Sequence, residues 1–292
     1  MKARDMGELL LLSVLWGGSF LCIRVAAPVF GPIVLIELRV LIAGLVLLLY
    51  AALTKTSLNL RKHWQYYLIV GILNSAIPFT LIATAELRLT AGLAAILNAT
   101  APLLGAVVAA IWIKETLTIN KIIGLVLGLV GVAVLVGWSS LPFTTIVMLS
   151  ILASLAAAAY YGVAGVYTKV MARGANSVAV ATCSQLGASL FLLPFTFAIP
   201  VQHVPTSTVL LALLILALLC TAVAYVLYFR LIANIGPTRA LTVTFLSPIF
   251  GVLWGVLLLG ESLTWGTIIG FAIILSSTGL VTGIRLHRTK LA

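Results

Sequence analysis

Mostly apolar stretches of about twenty residues alternate with short polar connections along the whole chain. A bilayer's hydrocarbon slab of roughly 30 Å needs a helix of about 20 such residues to cross it, so each stretch predicts one membrane span. Ten are found. The first five run from about Met6 to Ala27, Pro32 to Leu53, Trp64 to Ala85, Ala91 to Ile113 and Lys121 to Gly137. The second five run from about Phe143 to Val170, Ser177 to Ile199, Thr208 to Ala233, Pro237 to Leu259 and Trp265 to Ile284. The connections are too short for an extramembrane domain, so any chemistry takes place in the membrane or at its faces.

Composition turns this pattern into a class. Of 292 residues, 63% are apolar and only 8% charged, with a mean hydropathy of +1.26. A soluble domain carries about a quarter charged residues, so this surface must face lipid. The net charge of +11 does not point to nucleic acid, because the basic residues form no stripe. The cysteines, Cys22, Cys183 and Cys220, all lie within apolar runs without paired or metal-like spacing and read as small buried hydrophobes. Lys2 and Arg4 ahead of an apolar run also suit a signal peptide, but the run is longer than a signal core and is expected to stay as the first span.

Basic residues also set the expected orientation. With the N-terminus in the cytoplasm, fourteen of the 17 Lys and Arg fall on the cytoplasmic side. They are Lys2, Arg4, Lys55, Arg61, Lys62, Lys114, Lys121, Lys169, Arg173, Arg230, Arg239, Arg285, Arg288 and Lys290. Arg88 alone falls in an outer connection, while Arg24 and Arg39 lie within spans. Both termini are therefore expected inside.

The chain also repeats itself. Pro102, Gly105, Glu115, Leu117, Thr118, Ile122, Ile123 and Gly124 recur, 146 residues on, as Pro248, Gly251, Glu261, Leu263, Thr264, Ile268, Ile269 and Gly270. An offset of 145 lays Trp16-Gly17 on Tyr161-Gly162. Five spans is an odd number, so the second copy must enter the membrane from the opposite face. Glu115 sits among lysines whereas Glu261 has no basic neighbour, as that inversion requires. The expected fold is an all-α integral membrane protein of ten helices in two inverted five-helix repeats, residues 1–140 and 141–292. Many secondary transporters are built this way, with the binding site near the midplane between the halves.

Taken in order, Trp16-Gly17, Arg39 with Ala43, and two copies of Pro-x-x-Gly leading to Glu-x-Leu-Thr resemble the drug/metabolite transporter superfamily, in particular its ten-span EamA-type permeases. The resemblance covers nearly the whole chain. It implies export of amino acids or other small metabolites across a bacterial inner membrane, and the chain is similar to the aromatic amino-acid branch. It departs from the pattern in span six, where Tyr160-Tyr161-Gly162 replaces Trp-Gly, and in span seven, which has no partner to Arg39.

No residues carry an enzyme signature. The chain has no phosphate-binding Gly-x-x-x-x-Gly-Lys loop, no His-Glu-x-x-His, and three separated histidines, His63, His203 and His287. No catalytic residue, metal or cofactor is expected.

Polar groups inside spans have no use for lipid and are the next evidence. Asn74, Asn98, Thr100, Tyr225, Tyr228 and Thr244 lie mid-span, and the half-chain offset carries Asn98 to Thr244 and Phe79 to Tyr225. Asn74, Asn98 and Thr244 each precede a proline by four residues, on the face where that proline frees a carbonyl. Such groups either bond helix to helix or line a central pocket between spans three, four, eight and nine. As a cluster they favour the pocket. Trp16, Tyr160 and Tyr161 can stack on a flat substrate or an ammonium, or serve as interfacial anchors. Glu37 and Arg39 lie two apart on one helix and face different ways. Arg39 is a candidate contact for a substrate carboxylate or a structural pair, and Glu37, the one acid well inside a predicted span, is the candidate for proton coupling, with facilitated passage down a gradient equally consistent. Expected partners are small zwitterionic or aromatic metabolites, the lipid bilayer and no nucleic acid. Glycines four apart in spans five and ten either join the two halves or form a homodimer face. A multidrug or other metabolite exporter is the nearest alternative; a channel or membrane-embedded enzyme is more remote.

Overall fold

The computed structural model describes residues 3–138, 142, 144–171, 174–198, 204–236, 240 and 242–282. Lys2, Arg173, Arg239, Arg285, Arg288 and Lys290 of the orientation argument, together with His203 and His287, lie outside the described residues. Among the described residues, ten helices follow one another. They are α1 (Ala3–Phe30), α2 (Pro32–Leu53), α3 (Leu60–Glu86), α4 (Ala91–Trp112), α5 (Ile119–Gly137), α6 (Thr145–Met171), α7 (Ser177–Thr196), α8 (Ser207–Ile235), α9 (Val243–Leu259) and α10 (Trp265–Thr282). All but α9 have at least 18 residues and are apolar enough to cross a membrane; the described part of α9 has 17. The apolar surface this requires is present. Ile111 is 77% exposed, Leu129 72% and Leu257 63%, each worth roughly 1.5–3 kcal/mol in water-to-lipid transfer if fully covered.

Local chemistry explains several helix ends. Gly31, at φ 75°, is the single residue between α1 and α2, and Pro32 opens α2 where its missing N–H costs nothing. Thr90 caps α4 by accepting from Leu93 N (3.2 Å), and Asn176 caps α7 by accepting from Val178 N (2.8 Å). Thr264 accepts from Thr267 N (3.1 Å) at the start of α10, whereas its repeat mate Thr118 makes no capping bond to α5. Pro102 sits just past a break at Ala99–Thr100 in α4, while Pro248 is carried inside an unbroken α9.

Close crossings rely on glycine. A Cβ on Gly162 of α6 would lie 2.7 Å from both N and Cα of Gly105 on α4; one on Gly17 of α1 would lie 2.8 Å from Gly251 N and 2.6 Å from Ser247 O on α9. The offsets of 145 and 146 convert the first crossing into the second. Likewise a Cβ on Gly124 would press on Val281 and one on Gly270 on Leu135, so α5 and α10 pack reciprocally through their glycines. These residues join the two halves of this chain. α2 packs on α7, α3 on α6 and α7, and α1 on α8, around a core that includes Ile23, Leu35, Ile36 and Leu216.

Candidate functional site

α3 does not run as a uniform α-helix. Proline at 78 cannot donate to the carbonyl of Asn74, and the preceding turn, Ile72–Ala76, widens to i→i+5 bonding. This turn carries Asn74 and Ser75. The same widening occurs in α8 over Ile215–Val223, a segment that the 146-residue offset superposes on it. Ala224 there replaces proline, and Thr221 Oγ1 donates to the Leu216 carbonyl at 2.8 Å.

The two widened turns bring a polar cluster together. Arg39 of α2 is buried, donates from Nε to Thr221 Oγ1 (2.9 Å), and holds its guanidinium carbon 3.8 Å from the centre of the Phe79 ring. None of the ion pairs among the described residues involves Arg39. Beyond Phe79 stands Tyr161 of α6, with ring centres 6.4 Å apart. Asn74 donates to Tyr225 Oη (3.2 Å), and Gln185 of α7 donates to Ser75 Oγ (2.9 Å) while its own Oε1 is buried without a partner. From Tyr225 a chain of rings leads through Phe229 and Tyr228 to Trp16 of α1, which lies 5.3 Å from Tyr228.

Of the residues singled out in the sequence, Trp16, Arg39, Asn74, Phe79, Tyr161, Tyr225 and Tyr228 thus lie in one continuous cluster. Two of the four expected helices, α3 and α8, contribute to it, together with α1, α2, α6 and α7. Asn74, Ser75 and Thr221 of the cluster sit on the two widened turns. Asn98 keeps a buried, unpartnered Oδ1 on α4, and Thr100 donates to Leu97 O of its own helix (2.7 Å). Tyr160 and Thr244 are half-buried on α6 and α9. Glu37 faces α7, where it accepts from Ser189 Oγ (2.6 Å) with its second oxygen buried and unpartnered.

Three residues escaped the sequence reading. Gln185 and Ser189 are uncharged and carry no motif; their spacing of four, on one face of α7 opposite Glu37, was the available signal. Glu86 is the third. α3 extends to Glu86, past the Ala85 expected from hydropathy, and buries this carboxyl completely. Glu37 is therefore not the only acid inside a span.

Glu261 reaches across the chain: its carboxylate accepts from Ala91 N (2.6 Å) and Gly92 N (2.9 Å) at the start of α4, in the other half of the sequence. The free N–H groups and dipole of a helix start suit an anion. A small cavity of about 40 Å³ adjoins this clamp, lined by Gly92, Leu93, Leu135, Val252 and Glu261. Ala95 packs against Gly251 nearby, where an added Cβ would lie 2.5 Å from the Ala95 methyl. Glu115, the repeat mate, instead accepts from Lys121 Nζ (2.7 Å) and Lys169 Nζ (3.3 Å). Those ammonium groups, Lys121 foremost, hold its carboxyl below the usual carboxylate range. The positions equivalent to Ala91 and Gly92 are 237 and 238, outside the described residues. A larger recess of about 290 Å³ lies between α2 and α8 by Val46, Tyr50, Val226 and Arg230, apart from the polar cluster.

Comparison with known proteins agrees with this architecture. The EamA-like transporter family matches twice, over residues 7–137 and 148–283. The uncharacterized transporter YvbV of Bacillus subtilis is 27% identical, the match covering 96% of this chain and 92% of that protein. A probable amino-acid metabolite efflux pump of Salmonella typhimurium is also 27% identical, covering 99% and 98%. The uncharacterized inner membrane transporter YedA of Escherichia coli is 26% identical, covering 94% and 90%. A solved crystal structure superposes with a TM-score of 0.69 at 19% identity, over 96% of both chains, which establishes likeness of fold.

Proposed function

The chain belongs to the EamA-like transporter family, and from that premise we propose that it exports amino acids, aromatic ones included, by alternating access through the Arg39 cluster. The two halves, 1–140 and 141–292, act as inverted repeats that rock about the cluster. Reciprocal glycine crossings and the paired widened turns support that symmetry. The inner membrane, with both termini cytoplasmic, is the proposed location, in keeping with the name of the YedA relative and the basic residues of the connections.

One observation carries the cargo assignment: Arg39 is a buried guanidinium with an aromatic ring on its face and, among the described residues, no ion pair to a carboxylate. An unpaired cation in a low-dielectric interior is costly, and its hydrogen bond to Thr221 and the Phe79 ring offset only part of this. A substrate carboxylate supplies the missing charge, and the rings of Phe79, Tyr161 and Tyr225 then offer faces to an aromatic side chain. A phosphorylated cargo would call for several cations; among the described residues, Arg39 is the one cation within the cluster's contacts.

The test is transport by the purified protein in lipid vesicles, following exchange of labelled phenylalanine, threonine and other amino acids. Flux of several of them supports the proposal. Flux of lipophilic cations or another solute class, with none for any amino acid, overturns it.

A further inference from the structure

Among the six acids of the chain, Glu86 is the most deeply buried, at 0% exposure, and neither of its carboxyl oxygens has a hydrogen-bond partner. Glu37, by contrast, accepts a hydrogen bond from Ser189. Arg24 of α1 approaches Glu86 but donates to its main-chain carbonyl, and no ion pair joins the two side chains. The titratable and charged groups around Glu86 are Arg24 and Cys22 on α1, Arg39 on α2 and Glu261 on the α9–α10 connection. α4 has no charged residue between Ala91 and Trp112, and α6 has none between Thr145 and Val166. A carboxylate anion held here would lack both water and hydrogen bonds, a state that costs several kcal/mol. The neutral acid avoids most of that cost.

Position turns this burial into a device. Glu86 lies four residues before Thr90, the cap of the helix start that Glu261 clamps. Opening that end must carry the Glu261 carboxylate off Ala91 and Gly92 and admit water beside Glu86, where Arg24 stands ready to face an anion. We propose that Glu86 is a proton-binding site linked to closure of the Glu261 end: its carboxyl takes one proton from water as that end closes and returns it to water as that end opens. The inference rests on the carrier reading in that it needs an end that opens.

The test reads opening without any substrate. Leu93 lines the small cavity at the clamp, Arg88 is exposed nearby, and the three native cysteines are buried. Leu93→Cys and Arg88→Cys are labelled separately in purified protein with a membrane-impermeant maleimide from pH 5 to pH 8. The ratio of their rates cancels the thiol's own titration. The ratio is expected to rise with pH by up to about tenfold per unit, the limit for one linked proton. In the Glu86→Gln background, a permanently neutral mimic, it is expected to stay low and flat; Glu86→Met serves the same comparison should the glutamine variant not fold. A ratio independent of pH in the native background overturns the proposal. So does one that follows sodium concentration rather than pH, or one that rises equally in the Glu86 variants. A flat ratio would leave the cargo assignment standing, and absent amino-acid flux would leave the proton site standing.

Discussion

Replacing Glu261 by alanine tests whether its clamp keeps one end of the bundle shut. The substitution removes two bonds from an ionised acceptor, to Ala91 N at 2.6 Å and Gly92 N at 2.9 Å. Hydrogen bonds to charged groups are worth about 1.5–3 kcal/mol each, which puts their sum at roughly 3–6 kcal/mol. Both contacts are only partly buried, so water can satisfy the released N–H groups and the lower end applies. Ala95 against Gly251 still packs beneath and is untouched. A loss of about 3 kcal/mol raises the ratio of open to closed molecules on the order of 150-fold. Spin labels at Arg88→Cys and Leu258→Cys, both exposed at this end, report it by pulsed EPR distance measurement. Glu261→Ala is expected to move the distance distribution to longer values. Glu261→Gln, which keeps one acceptor and loses the charge, is expected to fall between the variant and the native protein. An unchanged distribution in Glu261→Ala would refute the clamp.

Three further outcomes follow from the geometry. Arg39→Lys keeps the charge but loses the Nε bond to Thr221 and the planar stack on Phe79; KM for phenylalanine exchange is expected to rise about 10–100-fold, the worth of one charge-assisted hydrogen bond. Flux of the decarboxylated amine, phenethylamine, should change little, and equal losses for both would remove Arg39 from the carboxylate. Gly162→Ala sets a Cβ 2.7 Å from the Gly105 backbone and is expected to cost about 1–3 kcal/mol by overpacking, read as a lowered melting temperature in detergent. Gly105→Ala, whose Cβ meets Gly162 at 3.4 Å, is expected to melt close to the native protein. Finally, Lys121 and Lys169 hold the Glu115 carboxyl below its unfolded value. A depressed carboxylate stabilises above its unfolded pKa and loses that contribution as pH falls through the folded one. The melting advantage of the native protein over Glu115→Gln should therefore be full near neutrality and fade below about pH 4; an advantage that persists to pH 2 would contradict the pairing.

Much of the fold was legible because the bilayer enforces it. Unsatisfied backbone cannot cross hydrocarbon, so apolar blocks of the right length must be helices, and their number and approximate ends followed from hydropathy alone. The recurrence of Pro102 to Gly124 as Pro248 to Gly270 was visible for the same reason, since the residues kept are those at helix breaks, turns and close crossings, where few types fit. The candidate site was half legible. Arg39, Asn74 and Tyr225 announced themselves as polar groups with no use for lipid, but which helices would bring them together did not. Asn74, Ser75 and Thr221 meet there on the widened turns of α3 and α8, and the one in α8 contains no proline to betray it.

The boundary between the two sources of information is set by range. Hydropathy, proline positions and the half-chain offset are local or additive properties of the sequence, and they determined the class, the ten helices and the pairing of like motifs. Whether an acid is solvated, clamped or sealed in depends on what the other nine helices place beside it. Glu86 and Glu261 look alike as letters. Only the packed bundle left one carboxyl without a partner and set the other, from across the chain, on the two backbone N–H groups that start α4.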